Sequence, residues 1–428
     1  TGSYRRDGAS VFGVNQKWGD FFAFGGAWRL SSEKFMSSIS YLEDLKLKVS
    51  WGKNGNQGLD PYGTLSTINN GASGGVRYEF GGSDIIYGLN QKALGNANLG
   101  WETTESWNTG FESAWLGSRL FVDLDLYFSK TTDQIFTRDI PVMTGFKNMK
   151  SSMGQVNNRG VELTIRSVNI NTQDWYWTTN LTFWLNRNKL VHLYGEDLNG
   201  DGKEDDDISN SRFIGKPLGA IYGYQQDGIV QETDIEYMKA NGATPGIPKY
   251  KDMDNDGVIT SADRVILGYS TPNFKLNMSN TITYKNWDLY FMLTGTFGGG
   301  GYYQKSNKGA YLTNGSGRFN TNGIYIPWWT PENKSNEYPA ATFNDDGGRF
   351  LGLQNRAFVR LQDVTLSYTF REPWVQKVNI QNLKVFFTAK NLFTITKWQG
   401  GDPEVGVTVS ENTYPVLTSF SLGANISF

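Results

Sequence analysis

The strongest signal in the chain is a strict alternation of apolar and polar positions. In Arg119-Leu120-Phe121-Val122-Asp123-Leu124-Asp125-Leu126-Tyr127-Phe128, every even position from 120 to 128 is apolar, and Asp123 and Asp125 lie on the other face. A period of two is that of a strand with one apolar and one polar side. The C-terminus repeats it: Phe420, Leu422, Ala424, Ile426 and Phe428 alternate with Ser421, Gly423, Asn425 and Ser427. The same period runs through 364–370, 181–186 and, less cleanly, 287–294.

These runs come in pairs joined by short turns. Segments 102–115 and 119–136 flank Leu116-Gly117-Ser118; 159–169 and 175–187 flank Ile170-Asn171-Thr172. Segments 273–284 and 287–297 flank Lys285-Asn286, and 357–370 pairs with 381–395 across Glu372-Pro373-Trp374. Short connections between alternating runs read as hairpins. The other connections are long: 54–98, 188–270, 298–356 and 396–414. Short turns at one end and long loops at the other describe a transmembrane antiparallel β-barrel, with about twelve or thirteen strands in this chain. Run lengths agree with the roughly 9–11 residues a tilted membrane strand needs. Trp101, Trp107, Trp115, Trp175, Trp177, Tyr284, Trp287 and Trp398 sit near run ends, where interfacial girdles belong. The competing reading is a soluble β-sandwich, which needs a second apolar layer that the polar loops do not supply.

Composition sharpens this. Among 428 residues there is no cysteine and one histidine, His192. Disulfide frameworks, thiol catalysis and Cys-ligated metals are excluded, and a Ser-His-Asp triad or a His-ligated metal is disfavoured. No paired Asp/Glu on adjoining strands is apparent, so an enzyme is not expected. The net charge of −2 gives no bulk attraction to nucleic acid. Aromatics at 14% exclude low-complexity disorder. No run approaches the roughly 20 apolar residues of a membrane helix. Thr1–Arg6 lacks the apolar stretch of a signal peptide and reads as the middle of a strand, so a larger protein is expected.

The most motif-like candidate site is 252–263. Asp252, Asp254 and Asp256 occupy positions 1, 3 and 5, Gly257 position 6, Val258 position 7 and Asp263 position 12 of an EF-hand-like calcium loop. Hard Ca²⁺ wants several oxygens at one point; Asp at position 12 is shorter than the usual Glu, so weak or monodentate coordination is expected there. The role expected for the ion is to stiffen an extracellular loop. A second acidic loop opens the same way with Asp197, Asn199 and Asp201, but its position 12 is Ile208, so a plain charged loop is the better reading. Gly298–Gly301 lacks the Lys-Ser/Thr of a phosphate loop. His192 has no partner near it in sequence and reads as exposed. Tyr302, Tyr303, Tyr325, Trp328 and Trp329 are candidate contacts for a substrate or a covering partner, against the blander reading that they pack the loops. Phe420, Leu422, Ile426 and the terminal Phe428 form the alternating, aromatic-ended strand expected of a barrel-assembly signal.

The chain resembles the C-terminal part of the SusC/RagA-type TonB-dependent outer-membrane transporters of Bacteroidota. The resemblance is carried in order by Tyr4-Arg5-Arg6-Asp7-Gly8, Leu45–Gly52 running into Gly55-Asn56-Gln57, Trp101-Glu102-Thr103-Thr104 and Asn158-Arg159-Gly160-Val161-Glu162. It continues with Pro217-Leu218-Gly219, Asp256–Thr260, Trp329-Thr330-Pro331-Glu332-Asn333, Ala389-Lys390-Asn391-Leu392-Phe393 and Gly401-Asp402-Pro403-Glu404. The resemblance implies that residues 1–428 are the C-terminal portion of a plugged, 22-stranded barrel in the outer membrane, with the plug domain and N-terminal extension outside this chain. It implies import of a glycan oligomer or a peptide beneath a SusD-like surface lipoprotein, powered by TonB through the missing N-terminal part. A structural or adhesive barrel without transport is the alternative.

Overall fold

The computed structural model describes residues 1–70, 77–79, 85–301, 327–340, 353–377, 380–398, 402–404 and 416–428. Its main element is an antiparallel sheet of twelve strands, hydrogen-bonded in chain order. They are β1 Gly2–Gly8, β2 Trp18–Arg29, β3 Leu42–Asn56, β4 Glu102–Trp115, β5 Leu120–Asp139, β6 Asn148–Asn171, β7 Trp175–His192, β8 Pro272–Tyr284, β9 Trp287–Gly298, β10 Phe358–Phe370, β11 Asn382–Thr396 and β12 Ser419–Ser427. The four hairpins read from the alternation are all present. Internal contacts divide the chain into two compact units, 1–163 with 186–218, and 164–185 with 219–428.

In the first unit, the register stacks Trp51, Trp107 and Phe128 in one row, and Leu47, Phe111 and Leu124 in another. These rows stand open, with Trp107 52% and Phe128 46% exposed. Apolar area left in water costs about 25 cal/mol per Å², so a stripe of this length is a lipid-facing surface. The alternate positions are polar and bonded: Lys48 Nζ lies 2.7 Å from both Asp123 and Asp125, and Lys46 3.3 Å from Glu112. Glu112 stands opposite Asp123 in the register. Paired carboxylates on adjoining strands are therefore present, contrary to the sequence reading, because register is invisible in a single run. Lys46 and Lys48 pair with them, so the cluster is an ion-pair network rather than an acid–base pair.

The second unit repeats the division. Leu289, Leu366, Phe387 and Leu422 form one continuous outward row. On the opposite face Asp288 accepts from Lys384 at 2.8 Å and from Thr283 Oγ1 at 2.8 Å.

In each unit aromatics flank the short turns. Tyr41 stacks on Trp115 at 5.9 Å beside the turn where Leu116, Gly117 and Ser118 all take positive φ. In the other unit Trp175 lies 4.4 Å from Tyr284, and Trp287 4.8 Å from Tyr368, flanking Lys285 at φ 52°. Amphipathic rings at this level are interfacial anchors. Two of the expected girdle residues do other work. Trp101 packs on Phe12 and Phe21, and Trp398 is only 5% exposed. Both follow or precede long loops, and they fill loop cores instead of facing lipid.

β6 runs for 24 residues, about 80 Å at ~3.4 Å per residue, well beyond a bilayer. The sequence placed its start near 159. Residues 148–158 carry no clean alternation: Ser151 and Val156 are buried there while Met153 is exposed.

Candidate functional site

The loop-end chemistry is concentrated in two acidic turns and one buried ion network. The first turn lies between the short strands Pro248–Tyr250 and Arg264–Tyr269. Asp252 Oδ1 accepts from the Asn255 N–H at 2.6 Å, and Oδ2 from Gly257 N–H at 2.7 Å. Asp254 accepts from Asp256 N–H, and Asp256 from Val258 N–H. Asn255 (φ 62°) and Gly257 (φ 87°) are left-handed, so the chain coils tightly enough to point the three carboxylates inward. Asp252, Asp254 and Asp256 each offer an oxygen within 4.8 Å of the others. Desolvation within this group, with the negative charges of Asp256 and Asp263, raises the pKa of Asp254. A shared cation would relieve that repulsion.

Asp263 plays a different part from the ligand expected at position 12. It is fully buried. Its two oxygens accept from Thr260 N–H and Met253 N–H, each at 2.7 Å, and these bonds hold its pKa below the usual carboxylate value. It is the clamp that closes the turn, outside the inward-facing trio. Asn241, the last residue of the helix α1 (Ile235–Asn241), supports the turn from below by accepting from Ile259 N–H at 2.6 Å.

The second turn has the same fold, position for position. Asp197 accepts from Gly200 and Gly202, Asn199 from Asp201, and Asp201 from Lys203. Gly200 and Gly202 take positive φ where Asn255 and Gly257 do. Asp205 accepts from Leu198 N–H at 2.6 Å, the same second-position donor that Asp263 holds in the first turn. The residue in this role is Asp205 at position 9, whereas the calcium-loop spacing points to position 12, which is Ile208. His192 is also not the unpartnered loop residue expected: its Nδ1 lies 2.6 Å from Glu204, which also accepts from Leu193 and Gly195 N–H. The partner lies twelve residues on, so no local pattern marks it.

At the loop end of β10 and β11, Arg360 is buried. Its Nη2 donates to Asp402 at 2.6 Å, its Nη1 to Glu404 at 2.9 Å and its Nε to Thr394 Oγ1 at 3.0 Å. In sequence the Gly-Asp-Pro-Glu stretch carries only the family resemblance. Its function as the counter-ion of an arginine forty residues earlier has no local signal.

Of the candidate aromatic contacts, Tyr302, Tyr303 and Tyr325 lie outside the described residues. Trp328 is half-buried. Trp329 is no open contact surface: it is buried, and its Nε1 donates to Gln231 at 2.9 Å, so it packs the loop. Phe420, Leu422 and Ile426 project from β12 on its exposed apolar side, and Phe428 ends the chain fully open at 79%. Val258 sits at the turn with an exposed side chain.

A lipid-facing antiparallel sheet with short turns at one end and long, internally bonded loops at the other defines the outer-membrane β-barrel class. The family model described as "TonB dependent receptor-like, beta-barrel" matches residues 1–392, and the chain belongs to that family. It is an outer-membrane family of receptors, not of enzymes. The chain is 30% identical over 444 residues to TonB-dependent receptor SusC of Bacteroides thetaiotaomicron, covering 100% of this chain and 42% of that protein. It is 29% identical over 443 residues to TonB-dependent receptor P3 of Formosa agariphila, covering 99% of this chain and 43% of that one. The chain thus spans less than half the length of these curated relatives. Among solved structures, the RagAB peptide importer in the closed-closed state shares the fold, with TM-score 0.79, 24% identity, and coverage of 100% of this chain and 45% of that one.

Proposed function

We propose that this chain supplies strands and extracellular loops to a TonB-dependent importer of a nutrient oligomer, a glycan or a peptide. The observation that carries the reading is the asymmetry of the sheet. One set of ends is joined by connections of two to twelve residues, flanked by aromatics. The other carries long loops with their own strands, helix and ion pairs, which is where a substrate from outside would be met. The family and the likeness to SusC support it, and the fold shared with the RagAB peptide importer adds a peptide to the substrate classes. A SusD-like surface lipoprotein covering these loops, and TonB acting through an N-terminal part, complete the proposal. Labelled glycans and peptides offered to cells with and without the full-length receptor test it: uptake should need both the receptor and TonB. Equal uptake without either favours a structural or adhesive barrel. Tagged receptor should co-purify a lipoprotein in near-equal amount.

Two residue-level roles belong to the same proposal. Asp252, Asp254 and Asp256 hold a calcium ion that stiffens the loop, with the Val258 carbonyl available as a further ligand and Asp263 as the clamp. The donor set is all hard oxygen, as Ca²⁺ requires. Phe420, Leu422, Ile426 and Phe428 serve as the assembly signal of the last strand; Phe428→Ala should lower the yield of folded barrel in the membrane.

A further inference from the structure

Arg356 stands just before β10, at the loop end, with its backbone N–H donating to Gly299 O at 2.9 Å. Its stem lies against buried Gly301, where an added Cβ would meet Arg356 Cδ at 2.8 Å and the Trp398 ring at 3.2 Å. The side chain is half-buried, and its Nε is buried with no hydrogen-bond partner. Among the described residues no carboxylate, carbonyl or hydroxyl reaches its guanidinium. Arg360, four residues on, is the opposite case, since all three of its nitrogens are bonded and it takes both nearby carboxylates, Asp402 and Glu404.

A half-buried cation without a counter-ion is costly, because desolvation is not offset by any partner. Burial alone acts on its pKa, and lowers it. Such a group is stable when its partner arrives from outside. A guanidinium fork matches the two oxygens of a carboxylate. The trio Arg360, Asp402 and Glu404 carries a net charge of −1, which disfavours a dianionic phosphate and leaves a monoanion as the fitting ligand.

We propose that Arg356 is a substrate-binding residue that takes a carboxylate group of the imported molecule. This rests on the import reading and narrows its substrate class to a carboxylate-bearing oligomer. The carboxylate can be the end of a peptide or that of a uronic acid, and the test separates them. The full-length receptor, purified in detergent, is titrated with N-acetyl-trialanine against its amide, and with digalacturonate against its methyl ester. In the unchanged receptor at least one free acid should bind about tenfold or more tighter than its blocked partner. Arg356→Gln should bring that ratio to about one, while Arg356→Lys, which keeps the charge but not the fork, should keep part of it. Selectivity in the peptide pair alone assigns a peptide end; in the sugar pair alone, an acidic glycan. No binding of either free acid at millimolar concentration, ratios near one in the unchanged receptor, or a ratio that survives Arg356→Gln overturns the proposal. Heat-modifiable migration checks that each variant is folded, and if Arg356→Gln is not, the unchanged receptor and Arg356→Lys still decide. TonB-dependent uptake of the same probes is followed in parallel. Uptake without selectivity sinks the site and leaves import standing; selectivity without uptake does the reverse.

Discussion

Two acidic turns in this chain have the same backbone and different chemistry. Both coil around an Asp at position 1 that accepts from positions 4 and 6, and both use positive φ at those two positions. In the first, position 3 is Asp254 and three carboxylates converge. In the second, position 3 is Asn199, and its amide spends one donor on Asp205. At position 3 a carboxylate that shares its charge with two neighbours stands where the other turn has an amide that donates within the turn. The clamps differ as well. Asp263 takes two backbone donors from a fully buried position, while Asp205 takes one backbone and one side-chain donor at the surface. Backbone shape is thus shared while the side chains at positions 3, 9 and 12 differ.

The largest effect should come from the clamps. Asp263→Ala strands the Met253 and Thr260 amides, and hydrogen exchange across 252–263 should rise on the order of ten- to hundredfold. Asp205→Ala should raise exchange across 197–205 by about three- to tenfold, since only one backbone donor is released. A larger effect at Asp205 would reverse the ranking. Next in size is the exchange of chemistry. Asp254→Ala should remove about one equivalent of calcium from the purified full-length protein, and Asn199→Asp should add about one, read by elemental analysis. Unchanged calcium in both variants would show that the trio does not select the ion.

A smaller effect tests the shared backbone. Gly257→Ala and Gly202→Ala meet nothing within 4 Å, so only the left-handed φ is penalised. Each should destabilise its loop by about 1 kcal/mol, to a similar degree. Unequal costs would mean the two turns are not equivalent. The smallest effect is with pH. Hydrogen bonds from Thr260 and Met253 lower the pKa of Asp263. Burial opposes ionisation of Glu204, but the N–H groups of Gly195 and Leu193 with His192 outweigh it and lower that pKa too. Groups with depressed folded values contribute stability above their unfolded values, here 3.8 and 4.5, and lose it as pH falls through the lower folded values. Exchange in the first turn, corrected for intrinsic rate, should therefore stay flat from pH 8 to 5 and rise only below about pH 4.

The wall of this protein was readable because membrane strands announce themselves locally. Lipid on one side and polar groups on the other impose a period of two, and Leu120–Phe128 or Phe420–Phe428 show it without any neighbour. The hairpins followed because Leu116-Gly117-Ser118 and Lys285-Asn286 carry their own turn signals. The first acidic turn was readable for the same reason: its ligands lie on alternate residues of one short segment. Trp101 and Trp398 misled, since an aromatic near a strand end looks the same whether it faces lipid or fills a loop core.

Residue order alone therefore determined the strands, their faces, the tight turns and the acidic trio, all of which depend on neighbours within a dozen positions. Tertiary structure decided what depends on register and on loops closing over one another. It set Glu112 opposite Asp123 with lysines beside them, gave Arg360 its carboxylates from 402 and 404, placed Asp205 where Asp263 stands in the twin turn, and left Arg356 half-buried with no partner for its Nε among the described residues. Charges pair through space, and no local pattern records which distant carboxylate an arginine will meet.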